Sequence, residues 1–260
     1  MPPIPILMYH HVSRVRPAGF AKYTVDPGAL HAQLRLLRRL RYTTVSLDDV
    51  LDAAAGVATL PRRPIVLTFD DGFAEAIDLA VPILAEHGAR ATFFVVAGRL
   101  GGHSDWLERE RGVRLQLASA DRIREVADLG FSIGSHTWTH PHLATMPADD
   151  RSVELDDARR RLEDVIGCGV EHLAYPHGEW DSSVRHAAAA AGYRSACTTD
   201  QRFATLGGDP LALARIIVDG RDRLPDVLCR LRTARSAREL VRLGFGTAVD
   251  RLRRGPVSAT

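Results

Sequence analysis

The chain has 260 residues, of which 45% are hydrophobic and 25% charged, with 3 cysteines. These proportions exclude a fibre, a disordered tail and a disulfide-knit miniprotein, and the length fits one barrel-sized domain or two smaller ones, either able to bury a full core. Lysine plus arginine (34) nearly balances aspartate plus glutamate (32), a net charge of +2 that is too even to mark nucleic acid as a partner over the whole surface.

From the N-terminus, Met-Pro-Pro-Ile-Pro-Ile-Leu-Met-Tyr-His-His lacks the basic start, long apolar run and small-residue cleavage site of a signal peptide. No stretch of 18 uninterrupted apolar residues follows that could span a membrane. Cys168, Cys197 and Cys229 are widely spaced and form no C-x-x-C pair, so they read as buried apolar thiols of a reducing compartment. The expected location is the cytoplasm. Apolar or β-branched runs predict strands at 5–9, 43–46, 64–69, 91–96, 131–135, 172–175, 193–198 and 213–218. Amphipathic segments predict helices at 27–41, 75–87, 120–129, 149–166 and 182–191, several opened by Asp, Ser or Pro and closed by Gly.

Strand and helix alternate without a linker or internal repeat, which predicts parallel βα units in an α/β barrel or barrel-like fold. Residues 97–118 break the rhythm with glycines, charges and Trp106, too long for an ordinary connection, and read as a substrate-facing excursion. Residues 221–254 carry ten arginines against four acids. Val227, Leu228, Leu231, Ala234, Leu240, Val241 and Leu243 recur there at roughly helical spacing, with Gly244 and Gly246 interrupting. Residues 221–260 therefore read as a basic amphipathic helical extension of a 1–220 body. Such a helix either packs on the body or rests on an anionic membrane face as a peripheral contact.

Two strand ends concentrate chemistry. In Ile65-Val66-Leu67-Thr68-Phe69-Asp70-Asp71-Gly72 an apolar strand runs into two carboxylates. Adjacent side chains on a strand point to opposite faces, so both acids reach one site only where the pleat breaks, and Gly72 provides that break. In Phe131-Ser132-Ile133-Gly134-Ser135-His136-Thr137-Trp138-Thr139-His140, a second strand ends in histidines at i and i+4, a spacing that one helical turn would bring to the same side. Asp71, His136 and His140 form a one-oxygen, two-nitrogen donor set suited to Zn²⁺, with Co²⁺ or Ni²⁺ as alternatives, and leave coordination positions open. Asp70, beside a ligand without needing to be one, is the natural base for a metal-activated water. Neither a G-x-S-x-G nucleophile elbow nor a phosphate-binding glycine loop occurs.

Over roughly residues 4–220 the sequence resembles the polysaccharide deacetylases (carbohydrate esterase family 4, the NodB homology domain), closest to their poly-N-acetylglucosamine deacetylase-like branch. T-F-D-D-G stands at Thr68 to Gly72 and H-[ST]-x-x-H at His136 to His140. The resemblance implies a distorted (β/α)₇ barrel, metal-dependent removal of an N-acetyl group from an amino sugar, Asp70 as base, and Asp71, His136 and His140 as ligands. The family's R-x-P-[YPF]-G is represented by Ala174-Tyr175-Pro176-His177-Gly178, which implies Tyr175 as oxyanion donor and Pro176, His177 and Gly178 as substrate contacts. His177 equally fits a surface imidazole. Ala174 stands where the base-orienting arginine is expected, and Leu213-Ala214-Arg215 holds no histidine where an L-x-H acid is expected. Leu7-Met8-Tyr9-His10-His11 resembles an early Tyr-His element that supplies the acid instead. His10 takes that role, with His11 as the alternative and a further substrate contact, and Asp200 or Asp219 as orienting acids. A deformylase acting on a lipid-linked sugar and a sugar-binding module without activity are the alternative functions.

Overall fold

The computed structural model describes residues 3–243. Seven short strands form a curled parallel sheet: β1 (Ile6–Tyr9), β2 (Pro64–Phe69), β3 (Thr92–Val95), β4 (Ser132–Ser135), β5 (His172–Ala174), β6 (Ser195–Cys197) and β7 (Ile216–Ile217). Their spatial order is β6-β5-β4-β3-β2-β1-β7. One segment closes the ring. Leu213 forms a parallel bridge with Cys197, and four residues later Ile217 pairs with Met8 on β1. The result is a distorted (β/α)₇ barrel, as expected.

The period-2 alternation of strands sorts side chains into two layers. Leu7 and Tyr9 on β1, Ile65, Leu67 and Phe69 on β2, and Phe93 and Val95 on β3 face outward into the main core with helix residues Leu30, Ile77, Leu162 and Val184. Ile6, Val66, Phe94, Ala174, Cys197 and Leu213 fill the interior. That cluster also takes Ile4 and Ala204, from a short antiparallel pairing, and Leu47 and Val50, from helix Leu47–Ala54. The sequence reading missed this helix, although Ser46 and Asp49 form a capping box at its start.

The remaining differences are local. The strand expected at 43–46 is reduced to Thr43–Thr44, which pairs with the start of β2 outside the ring. The helix expected at 149–166 runs Ala148–Ser152, a π turn Val153–Asp157 and Ala158–Ile166. Residues 97–118 hold the helix Asp105–Arg111, with Trp106 and Leu107 buried. Beyond the barrel, helices Leu224–Thr233 and Ala237–Arg242 follow, and Val227 and Leu231 of the first, with Ala234 that caps it, join the main core. Arg230 forms a buried ion pair with Asp222 rather than facing solvent. Gly244, Gly246 and the rest of the expected extension to residue 260 lie outside the described residues.

Candidate functional site

The site forms at the C-terminal ends of the strands, where a parallel barrel leaves its loops free to vary. The inward side of β2, set by Val66 and Thr68, continues to Asp70. The next residue would point outward, but Asp71 and Gly72 both adopt left-handed backbone, with φ of 76° and 73°. This turn brings the second carboxylate over the barrel mouth beside the first. For a non-glycine residue such a φ is costly and is held only by its surroundings.

The two histidines converge by a different route from the one their spacing suggests. Residues 136–142 form no helical turn; Thr137 and His140 are left-handed, with φ of 67° and 65°. Glu154, in the π turn, holds this loop. Its carboxylate accepts the backbone N–H groups of Trp138 (2.9 Å) and Thr139 (2.8 Å) and the Thr139 hydroxyl. Ala97 and Gly98 donate their N–H groups to the carbonyls of Thr137 and Trp138. A Cβ on Gly98 would lie 2.6 Å from Trp138, so the two segments can approach this closely only with glycine there. Glu154→Gln is expected to weaken metal affinity about 10–100-fold with the ligands unchanged, as measured by competition with a chelator.

Asp71 Oδ1 lies 3.5 Å from His136 Nε2 and 3.4 Å from His140 Nε2. One ligand atom from each of the three lies within 4.8 Å of the others. His136 Nδ1–H donates to the Ala174 carbonyl (2.7 Å), which fixes the tautomer that turns Nε2 inward. His140 is stacked on Trp106 at 4.7 Å, and its Nδ1 is buried without a hydrogen-bond partner among the described residues. Three converging buried donors, two of them imidazoles, fit a divalent transition metal.

Asp70 is gripped by a residue the motif reading did not assign. Arg215 is 0% exposed. It donates from both terminal nitrogens to the two Asp70 oxygens, each at 2.7 Å, from Nη1 also to the Thr68 hydroxyl (3.1 Å), and from Nε to the Thr198 carbonyl (3.0 Å). The arginine absent at Ala174 is thus replaced from the other side of the ring, at the position where the resemblance placed a histidine. Burial alone would raise the Asp70 carboxyl, but Arg215, the nearby imidazoles and the hydrogen bonds hold it below the ordinary carboxylate range. The sequence did carry a signal. In Leu213-Ala214-Arg215-Ile216-Ile217 an arginine sits inside an apolar strand, and a buried cation requires an acid.

Asp70, Asp71, His136 and His140 line one cavity of about 400 Å³ together with His10, Tyr23, Trp106, Glu110, Tyr175 and His177. His10 shares the inward side of β1 with Ile6 and Met8, and burial pushes its imidazole below the ordinary value against the pull of Asp71 and Asp70. Its ring packs on Tyr23 at 4.9 Å, and its Nδ1 has no hydrogen-bond partner among the described residues. Asp200 and Asp219 pair with Arg202 and Arg221, so neither orients it.

His11 shares the outward side with Leu7 and Tyr9. It is 1% exposed, with its ring nitrogens against Thr24 (3.2 Å) and Glu75 (3.5 Å), outside the cavity lining. A one-residue step on a strand accounts for the difference between the two histidines. Tyr175 is also placed differently from its expected role. Its N–H donates to the Cys197 carbonyl (3.1 Å) in the sheet ladder and its hydroxyl to the Leu211 carbonyl (3.0 Å), so both its donors are engaged. Pro176 has no N–H, Gly178 donates to the Tyr175 carbonyl, and His177 is left-handed at φ 59°.

The family model described as "Polysaccharide deacetylase" matches residues 58–196. The Bacillus subtilis protein YxkH is 26% identical over 219 residues, 83% of this chain and 71% of its own length. The chitooligosaccharide deacetylase of Azorhizobium caulinodans is 33% identical over 138 residues, which span 52% of this chain and 58% of that enzyme. Among solved structures, the Streptococcus pyogenes deacetylase PplD in complex with acetate superposes with a TM-score of 0.73 at 26% identity, covering 84% of this chain and 93% of that one.

Proposed function

Because the chain belongs to the polysaccharide deacetylase family, we propose that it is a metal-dependent hydrolase that removes an N-acetyl group from an amino sugar and releases acetate. The observation that carries this reading is the convergence of the Asp71, His136 and His140 donors, within 4.8 Å of one another, beside a carboxylate clamped by Arg215. Asp71, His136 and His140 would hold the ion, Zn²⁺ or its close relatives Co²⁺ and Ni²⁺. When bound, such an ion polarises the amide carbonyl and acidifies water. Asp70, kept ionised by Arg215, takes the proton from the attacking water. His10, which lines the same cavity from the inward side of β1, protonates the departing amine. With the Tyr175 amide committed to Cys197, we place the backbone donor to the developing oxyanion at the His177 N–H, the turn amide not engaged by a bond among the described residues.

A second reading concerns the substrate. Lys22 Nζ and Arg111 lie 5.2 Å and 5.1 Å from the centroid of the same Tyr23 ring, next to His10, with no carboxylate partner among the described residues. Like charges held on one ring favour a substrate whose amino sugar carries a phosphate, as a nucleotide- or lipid-linked sugar does. Lys22→Ala with Arg111→Ala is expected to raise KM for phosphate-bearing sugars and leave it unchanged for neutral oligosaccharides. An equal effect on both would remove this reading. Flotation with anionic vesicles tests the peripheral membrane contact.

The deciding experiment loads the protein with zinc, cobalt or nickel. It is then offered N-acetylated and N-formylated mono-, oligo- and nucleotide-linked sugars, and loss of the acyl mass is followed. Acetate release that stops on chelation and returns with metal is expected. Glycan binding without release under any metal would show a sugar-binding module instead, and release of formate alone would show a deformylase.

A further inference from the structure

The cavity rim holds a second cluster with a similar donor chemistry. Glu110, His142 and His177 come from three separate segments: the helix Asp105–Arg111, the loop after His140, and the Pro176–Gly178 turn. One ligand atom from each lies within 4.8 Å of the others. The His142 and His177 rings are stacked at 3.9 Å and 9°. His142 Nδ1 is 2.9 Å from Glu179 Oε2, the carboxylate–histidine arrangement that fixes the tautomer of a metal-ligating imidazole and leaves Nε2 basic. His177 Nε2 is buried without a hydrogen-bond partner among the described residues, and the Glu110 carboxylate faces it from 3.8 Å. A buried ring nitrogen that faces a carboxylate from beyond hydrogen-bond distance, beside a second imidazole whose Nδ1 is already paired, is explained if a cation completes the set.

We propose that Glu110, His142 and His177 form a second binding site for a divalent transition metal, separate from the Asp71–His136–His140 set. Two imidazoles and one carboxylate select the zinc, cobalt and nickel class over the oxygen-seeking calcium and magnesium. The site is more open than the first. His142 is 50% exposed and Glu110 38% exposed, so its ion binds more weakly than one held by buried donors. Its place in the fold gives it a consequence. Glu110 belongs to the excursion, whereas His142 and His177 belong to the two turns that flank the first site. The rings of His140 and His177 are 4.6 Å apart. An ion shared by all three segments straps the excursion helix to the barrel mouth and fixes one wall of the cavity.

The test needs no substrate. Metal-free full-length protein is titrated with Zn²⁺ alone, and bound metal is counted after equilibrium dialysis, with Ca²⁺ as a control. Wild type is expected to bind two zinc ions per chain in a tight and a weaker step, His142→Gln only the tight one, and His136→Ala only the weaker one. Glu179→Gln, which spares every ligand, should weaken the second step about 10–100-fold. Retention of the tight ion by His142→Gln shows that this variant is folded. Hydrogen exchange over 105–111 should slow when the second ion binds to wild type, and not in His142→Gln. Saturation of wild type at one ion, or two ions still bound by His142→Gln, overturns the site. Two ions bound without added protection of 105–111 overturns the strap.

Discussion

Arg215→Met is expected to cost about 3–5 kcal/mol of stability, a fall in Tm of roughly 6–20 °C for a domain of this size, and to lower turnover by at least about 10²-fold. Both effects have one source. Arg215 and Asp70 are 0% and 3% exposed, and the guanidinium meets the carboxylate through two parallel bonds of 2.7 Å. Without the guanidinium, Asp70 loses its bidentate countercharge and the hydrogen bonds that go with it, and burial then pushes its carboxyl upward, which weakens it as a base. In wild type Asp70 is held below its unfolded value, so its contribution to stability is present above that value and is lost as pH falls through the folded one. The Tm difference between wild type and Arg215→Met should therefore shrink on acidification, and the acidic limb of the rate profile should move to higher pH in the variant. Arg215→Lys should not restore turnover, because an ammonium cannot make the bidentate fork. Thermal melts and pH–rate profiles of the three proteins check these outcomes, and equal activity of wild type and Arg215→Met would remove Arg215 from the chemistry.

Asp70→Asn is expected to reduce kcat by about 10²–10⁴-fold while the tightly bound ion is retained. The amide keeps the shape of the carboxylate and loses its capacity to take a proton, and the three proposed ligands are untouched. The contrast is His136→Ala, which should lose both the tight ion and turnover. Asp70→Asn also strands the buried guanidinium, so its melting temperature falls as well. The pair Asp70→Asn with Arg215→Met removes both charges together and should regain much of the lost stability without regaining turnover. Metal content, Tm and kcat measured on the same preparations separate a missing base from a damaged fold. Turnover surviving in Asp70→Asn would end its assignment as the base.

The strand-end motifs were legible because each couples a local backbone rule to a chemical type. An apolar run ending in Asp70-Asp71-Gly72 can only be a strand that turns, and two histidines after a second such run need only a nearby acid to make a donor set. The alternation of strand residues was equally available. It separates inward His10 from outward His11, and it marks Arg215 as pointing into the barrel. What the motifs hid was the means of convergence. His136 and His140 meet through left-handed residues braced by Glu154, because a loop can bend where a helix would have to rise.

The amino-acid sequence alone determined the alternation of strand and helix, the curled parallel sheet, and the types of donor gathered at its C-terminal ends, since these follow from hydrophobic period and residue chemistry along short stretches. The tertiary structure alone decided which partners meet across the ring: Arg215 on Asp70, Glu154 on the histidine loop, the Tyr175 amide on Cys197, and Glu110 opposite His177. Those pairings join residues from different strands and loops, and their free energy depends on distance and burial, which no local pattern encodes.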